Sequence, residues 1–202
     1  VWIAFLDSSV LFPVFISNLL LFLSEAELFE VRWSRDVHKE WMERFVERNP
    51  DADPSALKRK QLRMDSLFPD ALVEGYEPLI STYDLDDAND NHAAAAADRA
   101  GANVIVTDNI KDFPVHKLRN GMFAQTADDF IADQIYLTSK SARLLAIALI
   151  RHKKSLTRSR PSWRQYLEKL RARLPHTFAL VNDASFRALI AEALASGEWK
   201  FE

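Results

Sequence analysis

The chain has 202 residues, 48% hydrophobic and 27% charged, with a net charge of −3 and no cysteine. That composition can bury a sizeable core and excludes an intrinsically disordered chain. The missing thiols exclude disulfide frameworks, zinc knuckles and cysteine nucleophiles, and are compatible with the reducing cytoplasm. A net negative chain is not a simple nucleic-acid coat, but the charge is uneven. Between Gln134 and His176 stand eleven Lys or Arg and one acid, Glu168, so that segment carries +10 and the remainder −13. An acidic body with a basic segment pairs a place for cations with a surface for phosphates. The plainer reading of the basic run is a solvated helical face.

In chain order, Trp2 to Leu6 reads as a short buried strand ending at Asp7. Ser8 and Ser9 are placed to cap a helix that takes Pro13 into its first turn, where a missing N–H does no harm. The apolar run from Val10 to Leu23 is broken by Pro13, Ser17 and Asn18. It falls short of the ~18 residues a membrane-spanning helix needs, so a buried helix is expected and no membrane partner. The chain starts at Val1 without a methionine, which suggests trimming, yet Asp7 and the strand before it are the wrong flanks for a secretory signal. Ser34 is a plausible N-cap for a helix carrying Val37, Trp41 and Phe45 at helical spacing up to Asn49-Pro50. After a turn at residues 51–54, Ser55 caps a basic helix with Lys58, Arg59, Lys60 and Arg63. Pro69 to Pro78 is mostly loop, and Leu79 to Tyr83 reads as a short strand.

An acidic stretch follows, Asp86-Asp87-Ala88-Asn89-Asp90-Asn91-His92, then a helix to Arg99, Gly101 beyond its end, and a strand over Val104 to Thr107. Short apolar strands alternating with helices predict an α/β fold around a mainly parallel sheet. The chain turns helical after Asp133: an amphipathic segment over Ser139 to Lys154, a helix started by Pro161, and a last one capped by Asp183 and ending near Gly197. The switch from acidic α/β to basic all-helix divides the chain into 1–133 and a helical extension 134–202.

Ligands of open α/β sheets sit beyond the carboxyl ends of the strands, where Asp7 and Asp108 both stand. An acid directly behind a buried strand is costly unless something binds it. Hard cations such as Mg²⁺ or Mn²⁺ take oxygen ligands, and one or two of them, roughly 3.5–4 Å apart when paired, can activate water for phosphodiester hydrolysis. Asp7, Asp87, Asp90, Asp108 and Asp112 are suitable carboxylates, with Ser9, Asn91 and Asn109 as neutral oxygen donors. Without a cation, such carboxylates raise one another's pKa values. Each has a mundane alternative: of Asp87 and Asp90, one serves as a helix N-cap and the other as a first-turn acid, and Asp112 is a turn residue. Periodicity alone leaves Glu40 solvated, away from the stripe of Val37, Trp41 and Phe45. His92 reads as a helix-surface histidine, the alternative being contact with a phosphate or a ligand carboxylate. No histidine pair has zinc spacing, Gly101 stands outside any phosphate-cradling loop, and Ser9 occupies the place where a dehalogenase-type phosphatase needs a second aspartate.

Four segments together resemble the PIN-domain family of metal-dependent ribonucleases, in particular the toxins of VapBC toxin–antitoxin systems. They are Leu6-Asp7-Ser8-Ser9-Val10-Leu11, Trp33 to Trp41, Asp87 to His92 with the alanines after it, and Val106 to Pro114. The resemblance spans roughly residues 1–130 and implies a three-layer α/β/α sandwich. It makes Asp7, Glu40 and Asp90 catalytic acids holding Mg²⁺ or Mn²⁺, with Asp108 the acid of the fourth segment and the fourth metal ligand open among Asp108, Asn109 and Asp112, beside the carboxylate of Asp87 already noted. It departs from the family in the fourth segment, where Asn109 stands at the position many members fill with an acid. The helical tail is similar to an extension of one toxin subgroup, and Arg151, Lys153, Lys154, Arg158 and Arg160 are its candidates for RNA or antitoxin contact. The implied protein is a cytoplasmic endoribonuclease toxin, bound by a cognate antitoxin and able to form homodimers. The alternatives are a housekeeping PIN-like nuclease of RNA maturation, or a catalytically silent interaction module whose acids are caps and solvated charges.

Overall fold

The computed structural model of the chain describes residues 1–136 and 140–200. Its contacts divide it into two compact units, one of residues 1–17 and 29–126, the other of 18–28 and 127–202. The division falls after residue 126 rather than 133, and the second unit also takes in residues 18–28.

The first unit is α/β. Strands β1 (Ile3–Leu6), β2 (Glu30–Arg32), β3 (Val104–Val106) and β4 (Phe123–Gln125) form one sheet in the order β2-β1-β3-β4. Every pairing is parallel, with Ala4 opposite both Val31 and Val104, and Val106 opposite Gln125. A parallel bridge between Trp33 and Leu72 extends the β2 edge. Parallel strands buried on both faces read as continuous apolar runs, which is why Ala4, Phe5, Leu6, Val104, Ile105 and Val106 are all wholly buried. From β1 the chain crosses first to one side, to β2, and later to the other, to β3. The switch point therefore lies between the carboxyl ends of β1 and β3, and Asp7 and Asp108 follow those ends.

Helices and turns connect these strands along the chain. Helix α1 (Ser8–Leu11) is capped by Asp7, whose side chain accepts from the Ser9 amide. Pro13 does not lie in the first turn of a longer helix, as the sequence had suggested; it separates α1 from α2 (Val14–Glu25). Proline has no N–H to continue α1, but its carbonyl accepts from the Ser17 amide and so starts α2. Helix α3 (Arg35–Arg48) begins at Ser34, whose hydroxyl accepts from the Val37 amide as expected. Helix α4 (Pro54–Leu67) is capped by Asp53 rather than Ser55: the Asp53 carboxylate takes the Ser55 amide at 2.9 Å. Leu79 to Tyr83 is not a strand. Pro78 lies in the first turn of a short helix, α5 (Glu77–Ile80), whose fixed φ suits that position. A 3-10 turn over Ala88–Asp90 leads into α6 (Asn91–Arg99), which buries Ala93 to Ala97 and packs on α3, α5 and β3. Small side chains let a helix lie close to its neighbours, and Gly101, at φ 63°, turns the chain out of it in a conformation a Cβ would penalise.

A polar network crosses the α3–α4 pair. His38 Nε2 donates to Asp65 at 3.0 Å, and its Nδ1 accepts from the Trp41 indole at 2.9 Å. The Trp33 indole donates to the same Asp65 oxygen at 2.9 Å. Each buried polar atom of His38 has a partner, which is the condition for burying it at all.

The second unit is helical: the later part of α2, then α7 (Ala127–Gln134), α8 (Ser141–Ser155), α9 (Trp163–Arg173), α10 (Pro175–Val181) and α11 (Ala184–Ser196). Ser139, expected to open α8, lies outside the described residues. Pro161 precedes rather than starts α9, which is opened by a reciprocal capping box between Ser162 and Gln165. Asp183 caps α11, and Gly197 ends it at φ 75°. Asp128 on α7 accepts from the His176 and Thr177 amides, each at 2.8 Å, and so caps α10 from outside. Among the described residues no helix is long and apolar enough to cross a membrane.

Candidate functional site

Asp7 is 4% exposed at the end of β1. Its backbone amide donates to the Val106 carbonyl at 3.0 Å, fixing it beside the end of β3. One carboxylate oxygen, Oδ2, collects three donors: the Ser9 amide at 3.3 Å, the Ser9 hydroxyl at 2.7 Å and the Thr107 hydroxyl at 2.8 Å. Having donated to Asp7, both hydroxyls accept from the next loop: Ser9 Oγ from the Asp108 amide and Thr107 Oγ1 from the Asn109 amide, each at 3.0 Å. The β1 and β3 ends are thus locked by buried hydroxyls that face a carboxylate on one side and amides on the other. Oδ1 of Asp7 receives no hydrogen bond among the described residues.

The two acids of the third segment divide their roles. Asp87 is an ordinary cap: its Oδ1 accepts from the Asn89 amide at 2.9 Å. Asp90 precedes α6 without a capping bond. Its carboxyl is pushed up to about 6, first by burial and then by the charges of Asp7, Asp87, Asp112 and Glu40. Carboxylates from four separated chain segments therefore act on one another, as like charges crowded together must. Asp108 is raised as well, by partial burial and then by Asp7. Asn109 joins this group through its backbone amide, and its side chain makes no hydrogen bond among the described residues.

Glu40 is not the freely solvated side chain that helical periodicity suggests. His92 Nε2 donates to its Oε1 at 2.6 Å, with the histidine side chain 15% exposed and the glutamate 37%. Burial works to raise the Glu40 pKa, but the His92 hydrogen bond and charge, helped by Ser8, outweigh it and hold it low. Burial would likewise lower His92, yet Glu40, Asp36 and Asp7 together raise it. His92 is thus a largely buried partner of the acids, its pKa raised by them, and not a surface histidine. Asp36, in the first turn of α3, adds a further charge and accepts from the Tyr76 hydroxyl at 2.7 Å. Thr107, Ser8 and Asp36 escaped nomination from the sequence. The one available signal was that Thr107 stands one residue past an apolar strand, as Asp7 does.

The donor set is all oxygen apart from one imidazole, which is the chemistry of a hard divalent cation. The side chains are not gathered into a ready-made cage: among the described residues no three His, Asp or Glu side chains are close enough to hold an ion together. The carboxylates lie within reach of one another's fields, while no three of these carboxylate and imidazole groups among the described residues are spaced to hold one ion by themselves.

Of the basic residues nominated for external contact, Arg151 is turned to its own unit, pairing with Glu25 at 2.8 Å with its side chain 17% exposed. Lys153, Lys154, Arg158 and Arg160 have no acidic partner among the described residues. In comparisons with family models, curated proteins and solved structures, nothing matches this chain.

Proposed function

We propose that this chain is a PIN-like endoribonuclease of three-layer α/β/α form, dependent on Mg²⁺ or Mn²⁺, acting in the cytoplasm as the toxin of a type II toxin–antitoxin pair. The observation that carries the reading is Asp90: a carboxyl without a capping bond, raised to about 6 by burial and four neighbouring carboxylates beside a sheet switch point. Such a group gains most from a cation. With Asp7, Glu40, Asp90 and one of Asp108, Asn109 or Asp112 drawn in around it, a divalent ion would supply an activated water and charge stabilisation for phosphodiester hydrolysis.

The chain's own residues prepare for this. Ser9 and Thr107 fix Asp7 through Oδ2 and leave Oδ1 for a ligand. His92 keeps a proton on Nε2 and holds Glu40 ionised. The substrate is single-stranded or looped RNA, whose phosphates an uncompensated acidic pocket would otherwise repel. A cognate antitoxin would act by obstructing that pocket, and exposed apolar side chains such as Leu62 and Leu67 leave room for a homodimer. The test is cleavage of total RNA by the purified protein with Mn²⁺ and with EDTA, beside Asp7→Asn. Cleavage that needs the ion and is lost in the variant supports the reading. Cleavage in EDTA, or an undiminished variant, removes it.

A second reading has its own observation. The absence of any three-residue metal cluster among the described residues favours a catalytically silent interaction module. That module predicts no cleavage and no stabilisation by Mn²⁺.

A further inference from the structure

The end of α8, the segment after it and the start of α9 are rich in cations. No Asp or Glu occurs between Gln134 and Leu167, whereas Lys153, Lys154, Arg158, Arg160 and Arg164 fall within twelve consecutive residues. The nearby acids of the same unit are already engaged: Glu25 by Arg151, Glu168 by Arg164 at 3.1 Å, and Glu192 and Glu198 by Arg143. The two lysines that end α8 lie instead over indole rings. Lys153 Nζ is 5.2 Å from the centroid of Trp163, and Lys154 Nζ is 3.9 Å from that of Trp199, which Lys200 also approaches at 5.4 Å. Both tryptophans are partly exposed. Trp163 is backed edge-on by Tyr166 at 5.8 Å, and the Tyr166 hydroxyl is hydrogen-bonded to His152 at 2.8 Å, so one indole stands on a rigid buried base.

A lysine over an exposed indole is held weakly, by ~0.5–1 kcal/mol, where a carboxylate partner would compete directly with an incoming phosphate. Moving the ammonium to a phosphate oxygen uncovers the aromatic face, and that face then accepts a base. Cations interleaved with aromatic faces are the pattern that holds single strands: the backbone takes the charges and the unstacked bases take the rings. A polyacid without aromatic side chains would use the cations but offers no ring to stack on the indoles, and a duplex keeps its bases stacked internally.

We propose that the face formed by Lys153, Lys154, Arg158, Arg160, Trp163 and Trp199 is a binding site for single-stranded nucleic acid, with Trp163 and Trp199 as base-stacking platforms. The site lies wholly within the helical unit and does not depend on the acidic pocket or on any cation bound there.

The test is fluorescence anisotropy of the full chain with a labelled single-stranded uridine 12-mer in EDTA, so that metal-dependent cleavage plays no part. Four phosphate contacts predict that affinity falls about 50-fold between 50 and 200 mM KCl. Tryptophan emission is quenched as RNA is added. Trp163→Leu weakens binding by about 5-fold or more, and Trp163→Phe restores part of it. The exposed double variant Arg158→Gln with Arg160→Gln leaves the circular dichroism spectrum unchanged and flattens the salt dependence. No binding at 50 mM KCl overturns the proposal. So does equal affinity for the RNA duplex or for polyglutamate, or unaltered binding in both the Trp163→Leu and the Arg158/Arg160 variants. Failure of total-RNA cleavage alongside intact binding would count against the acidic pocket and leave this site standing.

Discussion

Asp90, half-buried, and His152, fully buried, titrate with opposite consequences for stability. Asp90 has its carboxyl raised to about 6 by burial and four like charges. Its folded pKa lies above the unfolded value, so the ionised form destabilises the fold, fully above pH 6, and the penalty vanishes as pH falls toward 4. Asp90→Asn in EDTA should therefore raise stability by roughly 1–2 kcal/mol at pH 8, after discounting for partial exposure, and by almost nothing at pH 4. Urea denaturation at the two pH values checks this; an Asn variant less stable at pH 8 would mean Asp90 makes a favourable contact. His152, 0% exposed, is pushed down to about 4 by burial. Its folded pKa lies below the unfolded value, so its contribution is complete above pH 6.5 and is lost as pH falls toward 4. Between pH 7 and 4.5 the wild type should lose roughly 2–3 kcal/mol more than His152→Gln. Equal losses would show that His152 binds its proton as readily in the folded chain as in the unfolded one.

Among the elements, helix termini and strand ends carry the design. Asp128 caps α10 with two amide contacts that span 48 and 49 residues of sequence. Asp128→Ala leaves both amides without that carboxylate and should cost about 1–2 kcal/mol, read as a lower denaturation midpoint. A loss within ~0.3 kcal/mol would mean that water replaces the cap. Much of this layer was legible from local chemistry. Asp7 behind an apolar strand, Ser34 before Val37 and Asp183 before the last helix stand where a cap or a strand end belongs. Local chemistry failed where two residues competed for one role. Asp53 outcompetes Ser55 because a cap must precede the first turn, and Pro54 occupies that turn. Leu79 to Tyr83 has a strand-like composition, but Pro78 and the Tyr76 carbonyl start a helix there. Strand β2 went unnoticed because two of its three residues, Glu30 and Arg32, are charged and paired with each other, leaving Val31 as its one apolar residue.

At the scale of the whole molecule, the site depends on separations that no local pattern records. Glu40 and His92 meet across 52 residues, and Asp7 and Thr107 across 100. Strand order brings the ends of β1 and β3 together, so the sequence could nominate the acids, with Ser9 and His92 beside them, but not which of these groups pair. It also could not tell that Arg151 turns to Glu25 while its neighbours Lys153 and Lys154 lie over tryptophans. The charge division was legible, because an excess of +10 over some forty residues is visible without any fold.

If a divalent cation completes this crowd of carboxylates, as proposed, thermal denaturation at pH 8 with increasing Mn²⁺ will register it. At a hundredfold excess over the dissociation constant, binding to the folded chain should stabilise it by ~2.7 kcal/mol, a midpoint rise of several degrees. The rise should be absent in Asp7→Asn and Asp90→Asn. A wild-type midpoint indifferent to Mn²⁺, or an equal rise in both variants, would contradict the account.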